Sequence, residues 1–347
     1  MVDLKYSSGA RRWLMPLAVG ALVLGAMAVA ACGGDDDDDT APTPTAGTSA
    51  SPAATTSSSP AATKAAAAYP VKVTDLAKRS VEIKAKPVAV VALSPSAGEF
   101  VYAAGGTLVG RASSVKYPEA ALQAKEVGTA YQPNFETILS LKPDLIVADS
   151  VIHTAPNFKK PLEDLGIPVI FAGAENFQNV IDSLKLVGVV FDGTKKTDEL
   201  ITAINKARDE AKAAIAAKKP SALVLISDRD QVLYAAKSNS YAGDILTQLG
   251  FTNPAATQPD AGAFPGYTAV PAEKMLEFNP DFIFTVSPAP EPAPRLSALF
   301  KQIPPFKGLK AVTGNKVVEL NADWMLQAPG PRIIEAMRAI AQAVTAP

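Results

Sequence analysis

Cysteine and histidine are almost absent from this chain of 347 residues, which contains one cysteine, Cys32, and one histidine, His153. A single cysteine cannot form a disulfide framework or the thiolate cage of a structural zinc site. A site for bare zinc or manganese takes several histidines and carboxylates as direct ligands, and one histidine cannot supply them. The composition therefore disfavours a disulfide scaffold and a carrier of a bare transition metal.

An excess of positive charge is also lacking, because the formal net charge is −1 and the basic residues form no block. Nucleic-acid binding relies on clustered Lys and Arg side chains that neutralise phosphates. We therefore expect no nucleic-acid partner.

Two common catalytic motifs are missing, since the sequence has neither a G-x-S-x-G nucleophile elbow nor a GKS or GKT phosphate loop. Ser94 lies between Leu and Pro without the flanking glycine that such an elbow uses. We expect no catalytic residue and no enzyme. A surface-anchored hydrolase with a Ser, His and Asp triad is the alternative from another class, and a purely structural surface protein is a third.

The N-terminal segment has the shape of a signal peptide. Lys5, Arg11 and Arg12 precede an uncharged run from Trp13 to Ala31, and the run ends in VAAC. A small-residue run that ends on cysteine resembles the lipobox of bacterial lipoproteins, which implies that Cys32 becomes lipidated. A plain transmembrane anchor is the alternative, because the run is just long enough to span a bilayer. Residues 1–32 are therefore a leader, and the rest lies outside the cytoplasm, anchored to the membrane.

Residues 33–68 contain Asp, Thr, Ser, Pro and Ala with almost no large apolar side chain. Such a composition cannot bury enough apolar surface to fold, and it predicts a disordered tether. The run Asp35 to Asp39 lacks the spaced ligands and the glycine of a calcium loop, so it is a solvated charge run.

The longest helical pattern runs from Thr194 to Lys219, with apolar residues at three-and-four spacing and no Gly or Pro. On both sides of it, short apolar runs alternate with helical patterns, which predicts an α/β lobe at 69–193 and a second one at 220–347. A hairpin is expected at 71–83, and a loop at 94–96 after the strand at 88–93. The fold class is α/β, with two wound lobes joined by one long rigid helix.

A short repeat occurs once in each half. Glu136 precedes Pro143-Asp144 by seven positions, and Glu273 precedes Pro280-Asp281 by seven positions. Each copy predicts a helix with Glu in its first turn, then Pro-Asp, then a buried strand. We interpret the two copies as structurally equivalent.

Five segments in this order resemble the substrate-binding proteins of ABC importers for cobalamin, ferric siderophores and related iron complexes. They lie at 90–120, 127–149, 162–171, 270–284 and 323–337. The resemblance covers nearly all of the chain after residue 69. It implies a monomer whose lobes close slightly on a ligand in the cleft between them and which docks on a dimeric permease. It also implies no cofactor, with iron present only as part of the bound ligand.

The expected ligand contacts come from loops at the carboxyl ends of strands, where wound sheets bind ligands. Aromatic rings offer stiff platforms for a large ligand, and arginine suits anionic oxygens. The predicted ligand-binding residues are Ser94, Ser96, Arg111, Tyr117, Tyr131, Tyr267, Trp324 and Met325. Weaker candidates in the same loops are Pro95, Arg229, Tyr234 and Phe264.

Three further expectations concern single residues and the ligand. The resemblance implies that Glu136 and Glu273 dock onto the permease, although the helix dipole alone also favours an acidic first turn. His153 could reach the cleft or bind a haem iron, but a lone histidine in a polar loop is more commonly solvated. The segment VGTAYQPNFE is more like siderophore binders and APGPR more like cobalamin binders, so we predict a ferric complex ahead of cobalamin or haem.

Replacing Cys32 by Ala removes the only residue that could carry the lipid. We expect the variant to be released from the membrane or to accumulate as an uncleaved precursor, measured by fractionation and by the mass of the product. Normal processing together with unchanged membrane attachment would show that Cys32 is not the anchor.

Overall fold

The computed structural model describes residues 69–216, 219–262 and 264–346. The predicted leader, lipidation site and tether lie outside the described residues. Within the described part of the chain, no helix is long and apolar enough to cross a membrane.

The first lobe is a parallel sheet with helices packed against it, preceded by a hairpin. Its sheet has five strands in the order β5-β4-β3-β6-β7, all pairs parallel. The hairpin strands β1 and β2 are antiparallel, as predicted. The elements are β1 (Val71–Thr74), β2 (Ser80–Ile83), β3 (Val90–Ala92), α1 (Pro95–Ala103), β4 (Leu108–Arg111), β5 (Lys125–Glu126), α2 (Phe135–Ser140), β6 (Leu145–Ala148), α3 (Pro156–Glu163), β7 (Val169–Phe171) and α4 (Phe177–Val190).

The second lobe repeats this plan with a mixed sheet. Its order is β10-β9-β8-β11-β12, in which β8, β11 and β12 are parallel and β9 and β10 are antiparallel to their neighbours. The elements after the long helix α5 (Thr194–Ala216) are β8 (Ala222–Ser227), β9 (Leu233–Ala236), α6 (Tyr241–Gln248), β10 (Tyr267–Ala269), α7 (Ala272–Phe278), β11 (Phe282–Val286), α8 (Leu296–Phe300), α9 (Lys310–Thr313), β12 (Val317–Leu320) and α10 (Ile333–Thr345).

The Pro-Asp repeat has the same geometry in both lobes. The Asp144 carboxylate accepts the N–H groups of Val88 and Ala89, and the Asp281 carboxylate accepts the N–H of Ser221. In each lobe the aspartate thereby joins the start of its own strand, β6 or β11, to the start of the neighbouring central strand, β3 or β8. The repeat therefore positions strands, and this role alone accounts for its Pro-Asp part.

Helix α5 is continuous over 23 described residues, as the sequence predicts, but the predicted last residue, Lys219, has a φ of 40° and lies outside the helix. Its buried face consists of Thr197, Ile204, Ala207, Ala211 and Ile215. This face packs against α4 of the first lobe and α10 of the second. The helix therefore contacts both lobes along its length and is more than a spacer between them.

One large apolar core extends through both lobes, and each lobe also contains smaller apolar clusters of its own. It includes Val90 and Phe100 of the first lobe, Ile204 of α5, and Val224 and Met337 of the second lobe. Burial of apolar surface contributes about 25 cal/mol per Å², so separating the lobes would expose side chains that now contact each other. The shared core resists such separation.

A buried ion pair also joins the lobes. Nε of Arg332, just before α10, donates to Glu99 Oε1 of α1 at 3.0 Å, and Nη2 of Arg332 donates to the same carboxylate. The Glu99 side chain is 2% exposed. Burial raises the pKa of Glu99, and the hydrogen bonds from Arg332 oppose that rise. Removing either partner of such a pair would leave the other charge buried alone.

The sequence expectation for residues 94–96 is wrong. They are not a loop, because Ser94 is the N-cap of α1 and its side chain accepts the N–H of Ala97, while Pro95 is the first helical residue. Proline fits that position because its fixed φ suits a helix and its missing N–H has no partner there. The sequence patterns also did not predict β5, β10, α8, α9 and a π-helical turn at Asp323–Gln327.

Proline at Ala207 tests whether α5 is one packed helix. Ala207 is 4% exposed on the buried face. Because proline removes a backbone hydrogen bond and its ring clashes with the preceding turn, Ala207→Pro should lower the free energy of unfolding by about 3 kcal/mol or more. The matched control Ala207→Gly keeps the N–H and should cost about 1 kcal/mol. Urea unfolding measures both, and equal losses in the two variants would contradict a continuous helix.

Candidate functional site

A cavity of about 410 Å³ lies between the two lobes. Its walls come from segments that follow β3, β5, β6 and β7 in the first lobe. In the second lobe they come from the start of α6, the segment that leads into β10, and the π-helical turn with the residues after it. In the first lobe the lining residues are Ser94, Ser96, Tyr131, Asp149, Val151, Ile152, Ala174 and Glu175. In the second lobe they are Asn239, Ser240, Tyr241, Asp260, Pro265, Gly266, Tyr267, Met325, Leu326, Gln327 and Pro329.

The N-termini of two helices form part of the cavity wall. Ser94 caps α1, and Ser240 caps α6 by accepting the N–H of Gly243. Serine is a favoured N-cap because its oxygen satisfies an N–H group that has no partner inside the helix. The two lobes thus present similar capped helix ends to the same space.

Five of the predicted ligand-binding residues line this cavity: Ser94, Ser96, Tyr131, Tyr267 and Met325. Tyr131 is 67% exposed, so its ring is open to a ligand. Tyr267 is largely enclosed, and burial raises the pKa of its hydroxyl to about 12. Each lobe therefore contributes one of the predicted tyrosines, and Met325 adds an adaptable apolar contact.

The other three predicted residues lie outside the lining. Arg111 directs its guanidinium to the carbonyl groups of Ala112 and Val115 and to Glu126 at 2.8 Å. Tyr117 stacks on Arg332, with 4.4 Å from ring centroid to guanidinium carbon, and lines a different cavity. Trp324 packs against the main core, although the next residue, Met325, lines the cleft.

The weaker candidates also lie outside this lining. Arg229 is exposed, the Tyr234 hydroxyl donates to Asp228 at 2.8 Å, and Phe264 packs edge-on against Tyr234. Pro95 belongs to α1 and lines no part of the cavity.

His153 is completely buried, so the expectation of a solvated histidine is wrong. Its Nδ1 accepts the N–H of Asp149 at 2.9 Å, and Nε2 lies 2.7 Å from the Ala130 carbonyl, to which it donates. Burial lowers the pKa of the ring, which matches a neutral histidine with these two partners. Both nitrogens are engaged, so neither is available to a haem iron or to a serine nucleophile.

Asp149 links the histidine to the cavity wall. Its carboxylate accepts the Ser94 hydroxyl at 2.9 Å and the N–H groups of Val151 and Ile152. The serine is thereby bound to the aspartate and not to the histidine. The Ser-His-Asp order that activates a nucleophile is absent from this arrangement.

The cavity wall is acidic. Asp149, Glu175 and Asp260 line it, and no Lys or Arg stands among the described lining residues. Asp260 is paired with Lys237 at 2.5 Å, and this hydrogen bond lowers its pKa. Because Asp149 is satisfied by its own donors, Glu175 is the carboxylate most open to a bound ligand.

Tyr241 lines the cavity but was not predicted from the sequence. It is 7% exposed at the start of α6, and its hydroxyl has no hydrogen-bond partner within the described structure. Burial raises the pKa of this hydroxyl, so it stays protonated. Ser240 could have indicated this lining residue, because Ser240 directly precedes Tyr241 and caps its helix as Ser94 caps α1 in the other lobe.

Glu136 and Glu273 lie on the surface, away from the cavity. Each is an exposed residue in the first turn of its helix, α2 or α7. Exposed leucines follow each of them by three positions, Leu139 at 48% and Leu276 at 47% exposure. The two lobes thus present the same pair of side chains to solvent. No group of His, Cys, Asp and Glu in the described ranges is arranged to hold a metal ion.

Comparison with known proteins gives consistent matches. The sequence profile of a periplasmic binding protein family matches residues 90–324. An uncharacterised ABC transporter substrate-binding lipoprotein of Bacillus subtilis is 27% identical over 284 residues, covering 80% of this chain and 86% of that protein. A vitamin B12-binding protein of Vibrio vulnificus is 26% identical over 271 residues, covering 76% of this chain and 92% of that one.

A solved structure shares the fold. It is the siderophore-binding protein bound to a complex of two acinetobactin molecules and ferric iron, with a TM-score of 0.68 and 21% sequence identity. The match covers 80% of this chain and 99% of that chain. The two-lobed α/β architecture predicted from the sequence is confirmed.

The buried histidine predicts how stability depends on pH. Its folded pKa is below the ordinary value of 6.5, so below that pH the unfolded chain binds a proton that the folded chain resists. Stability from this group is complete above pH 6.5 and falls on acidification, by at most about 1.4 kcal/mol per pH unit.

Urea unfolding between pH 7.5 and 5.5 should show a steeper loss for the natural chain than for His153→Gln, which cannot take up that proton. The difference between the two slopes reports on His153 alone among imidazole groups, because the chain has no other histidine. Equal slopes in the two proteins would contradict a buried neutral histidine.

Proposed function

The chain belongs to the periplasmic binding protein family, and we propose that it captures a ferric siderophore or a similar iron complex and delivers it to an ABC importer. The observation that supports this proposal most strongly is the cavity between two lobes that share one core. Its volume of about 410 Å³ and its open side suit part of a large ligand. The similar lipoprotein of B. subtilis is a substrate-binding component of an ABC transporter, which supports the same role here.

The charge of the cavity wall limits which ligands can bind. With carboxylates on the wall and no cation among the described lining residues, a polyanionic complex would meet repulsion. A neutral or cationic ferric complex, such as a hydroxamate chelate, would meet an acidic wall and two tyrosine rings. The ligand we propose is therefore a ferric complex without excess negative charge.

Cobalamin is the second candidate. Its corrin ring offers a large face for Tyr131 and Tyr267, and cobalamins are not polyanions. The vitamin B12-binding relative of V. vulnificus supports this alternative. Haem, with two carboxylates and no available histidine, suits the cavity less well.

A binding protein, and not a hydrolase, is the function that these contacts favour. Ser94 donates to Asp149 while both nitrogens of His153 have other partners. We also propose that the protein acts outside the cytoplasm, anchored through Cys32, with its permease dimer as partner and no cofactor of its own. The lipoprotein among its relatives supports this location.

Titration of the purified full chain with a panel of complexes tests the ligand. Ferrioxamine B, which is cationic, and cyanocobalamin should bind more tightly than ferric citrate or haem. Tyr131→Ala and Tyr267→Ala should each weaken binding about ten-fold or more, as truncation of an aromatic contact commonly does. Tyr117→Ala should leave binding unchanged if the cavity defines the site. Preferential binding of ferric citrate, or no binding by any complex, would contradict the proposal.

Docking onto the permease is assigned to Glu136 and Glu273. Two equivalent exposed carboxylates, one per lobe, suit a partner with two-fold symmetry. Truncating one side of a desolvated charge pair costs about 2 to 5 kcal/mol. The double variant Glu136→Ala/Glu273→Ala should therefore lose uptake while its ligand affinity stays intact.

The matched control is Glu277→Ala, which removes an exposed carboxylate from the same helix α7 where it pairs with Lys274. Uptake of radiolabelled ligand by cells measures both proteins. Normal transport by the double variant, or lost ligand binding, would show that these glutamates are not the docking pair.

A further inference from the structure

A second polar cavity lies in the C-terminal lobe beside the cleft. We name this cavity of about 520 Å³ the annex, and it is bounded by the loop 287–295 after β11 and by residues 319–323 at the end of β12. Gln327 lines both the annex and the cleft, and its amide donates to the Pro288 carbonyl. The annex therefore adjoins the cleft across one side chain, at the carboxyl edge of the sheet where ligands commonly bind.

The loop that forms one wall is stiff. Its sequence from Ser287 to Arg295 has proline at every second position, and each proline fixes its own φ. A wall of this kind keeps its shape without a ligand. The annex is thus suited to hold polar groups at fixed places.

One guanidinium nitrogen of Arg295 is a hydrogen-bond donor without an acceptor. Its Nη1 donates to the Ala289 carbonyl at 3.0 Å and lies 3.5 Å from the Ser287 carbonyl. Its Nη2 is buried and has no hydrogen-bond partner. A buried donor without a partner costs free energy, and an acceptor supplied by a ligand would recover it.

Glu319 brings the complementary acceptor. Its Oε2 accepts the Thr285 hydroxyl at 2.6 Å and the Ser297 N–H at 3.1 Å, which hold the carboxylate in place. Its Oε1 is buried and has no partner. Because Arg295 Nη2 and Glu319 Oε1 are both unpartnered, the two groups do not satisfy each other.

The charges around the annex select among ligands. Glu291 and Asp323 also line it, so three carboxylates and one guanidinium belong to its lining, and Asp323 also lies 4.0 Å from Nη1 of Arg332. A simple anion would satisfy Arg295 but would meet this negative excess. A simple cation would leave Arg295 without an acceptor. A group that carries both charges satisfies both side chains.

We propose that the annex binds an α-amino-acid-type zwitterion, with its carboxylate on Arg295 and its ammonium group on Glu319. Two sources offer this chemistry: a free amino acid, and the amino-acid end of a larger ligand that extends past Gln327 from the cleft. The site goes beyond the capture of a metal complex, because it recognises charged groups that need not belong to the metal centre.

Calorimetric titration of the full chain with glycine and with L-serine tests the site. Both should bind saturably at one site, while acetate and methylammonium, which carry one charge each, should bind about ten-fold more weakly or worse. Arg295→Gln and Glu319→Gln should each weaken glycine about ten-fold or more. The controls Arg338→Gln and Glu335→Gln remove the same charges from exposed positions of α10 and should bind glycine normally.

A third variant keeps the proposal testable if Arg295→Gln or Glu319→Gln does not fold. Ala289→Trp places a large ring at the exposed edge of the annex and keeps the backbone carbonyl that accepts from Arg295, and it should also abolish glycine binding. Repeating the titration with ferrioxamine B or cyanocobalamin saturating the cleft separates the sources. If the cleft ligand weakens glycine binding, the annex holds the amino-acid end of that ligand. If glycine binds equally well with and without the cleft ligand, the annex holds a free amino acid. No saturable binding by the natural chain, or unchanged binding by Arg295→Gln and Glu319→Gln, would overturn the proposal.

Discussion

The continuous apolar core that joins the two lobes is the constraint on which the rest of the structure depends. Helix α5 packs against α4 on one side and α10 on the other, so both lobes bury side chains on the same helix. The Glu99–Arg332 ion pair adds a second connection, between α1 and the start of α10. A hinge would have to open this core and expose a buried charge. The cleft is therefore largely formed before a ligand arrives, which reduces the ordering cost of binding.

The cavity follows from this arrangement. Because the lobes repeat one plan, the capped N-terminus of α1, which follows β3, and the capped N-terminus of α6 line the same space. Asp149 uses its hydrogen bonds to hold Ser94 and its own loop, which keeps the wall in place. Among the described residues, four buried side-chain atoms lack hydrogen-bond partners: Arg111 Nε lies outside both cavities, and the other three belong to Tyr241, which lines the cleft, and to Arg295 and Glu319, which line the annex.

Local signals in the sequence predicted the architecture and part of the site. Continuous apolar runs identified the buried strands, and uninterrupted periodicity identified α5. The roles of Arg111 and His153 were harder to predict, because each has a partner that is distant in the sequence: Glu126, 15 positions from Arg111, and Ala130, 23 positions from His153. Trp324 and Met325 are consecutive residues of one π-helical turn with different environments, and that turn has no clear pattern in the sequence. Charge at the cavity wall also depends on tertiary contacts, as the Lys237–Asp260 pair illustrates.

A crystal structure of the full chain with ferrioxamine B would test the preformed cleft most directly. We expect the complex to lie between the lobes, in contact with Tyr131, Tyr267 and Met325, with the Glu99–Arg332 pair intact and α5 unbent. A complex bound outside the cleft, or lobes rotated far enough to break that ion pair, would contradict it.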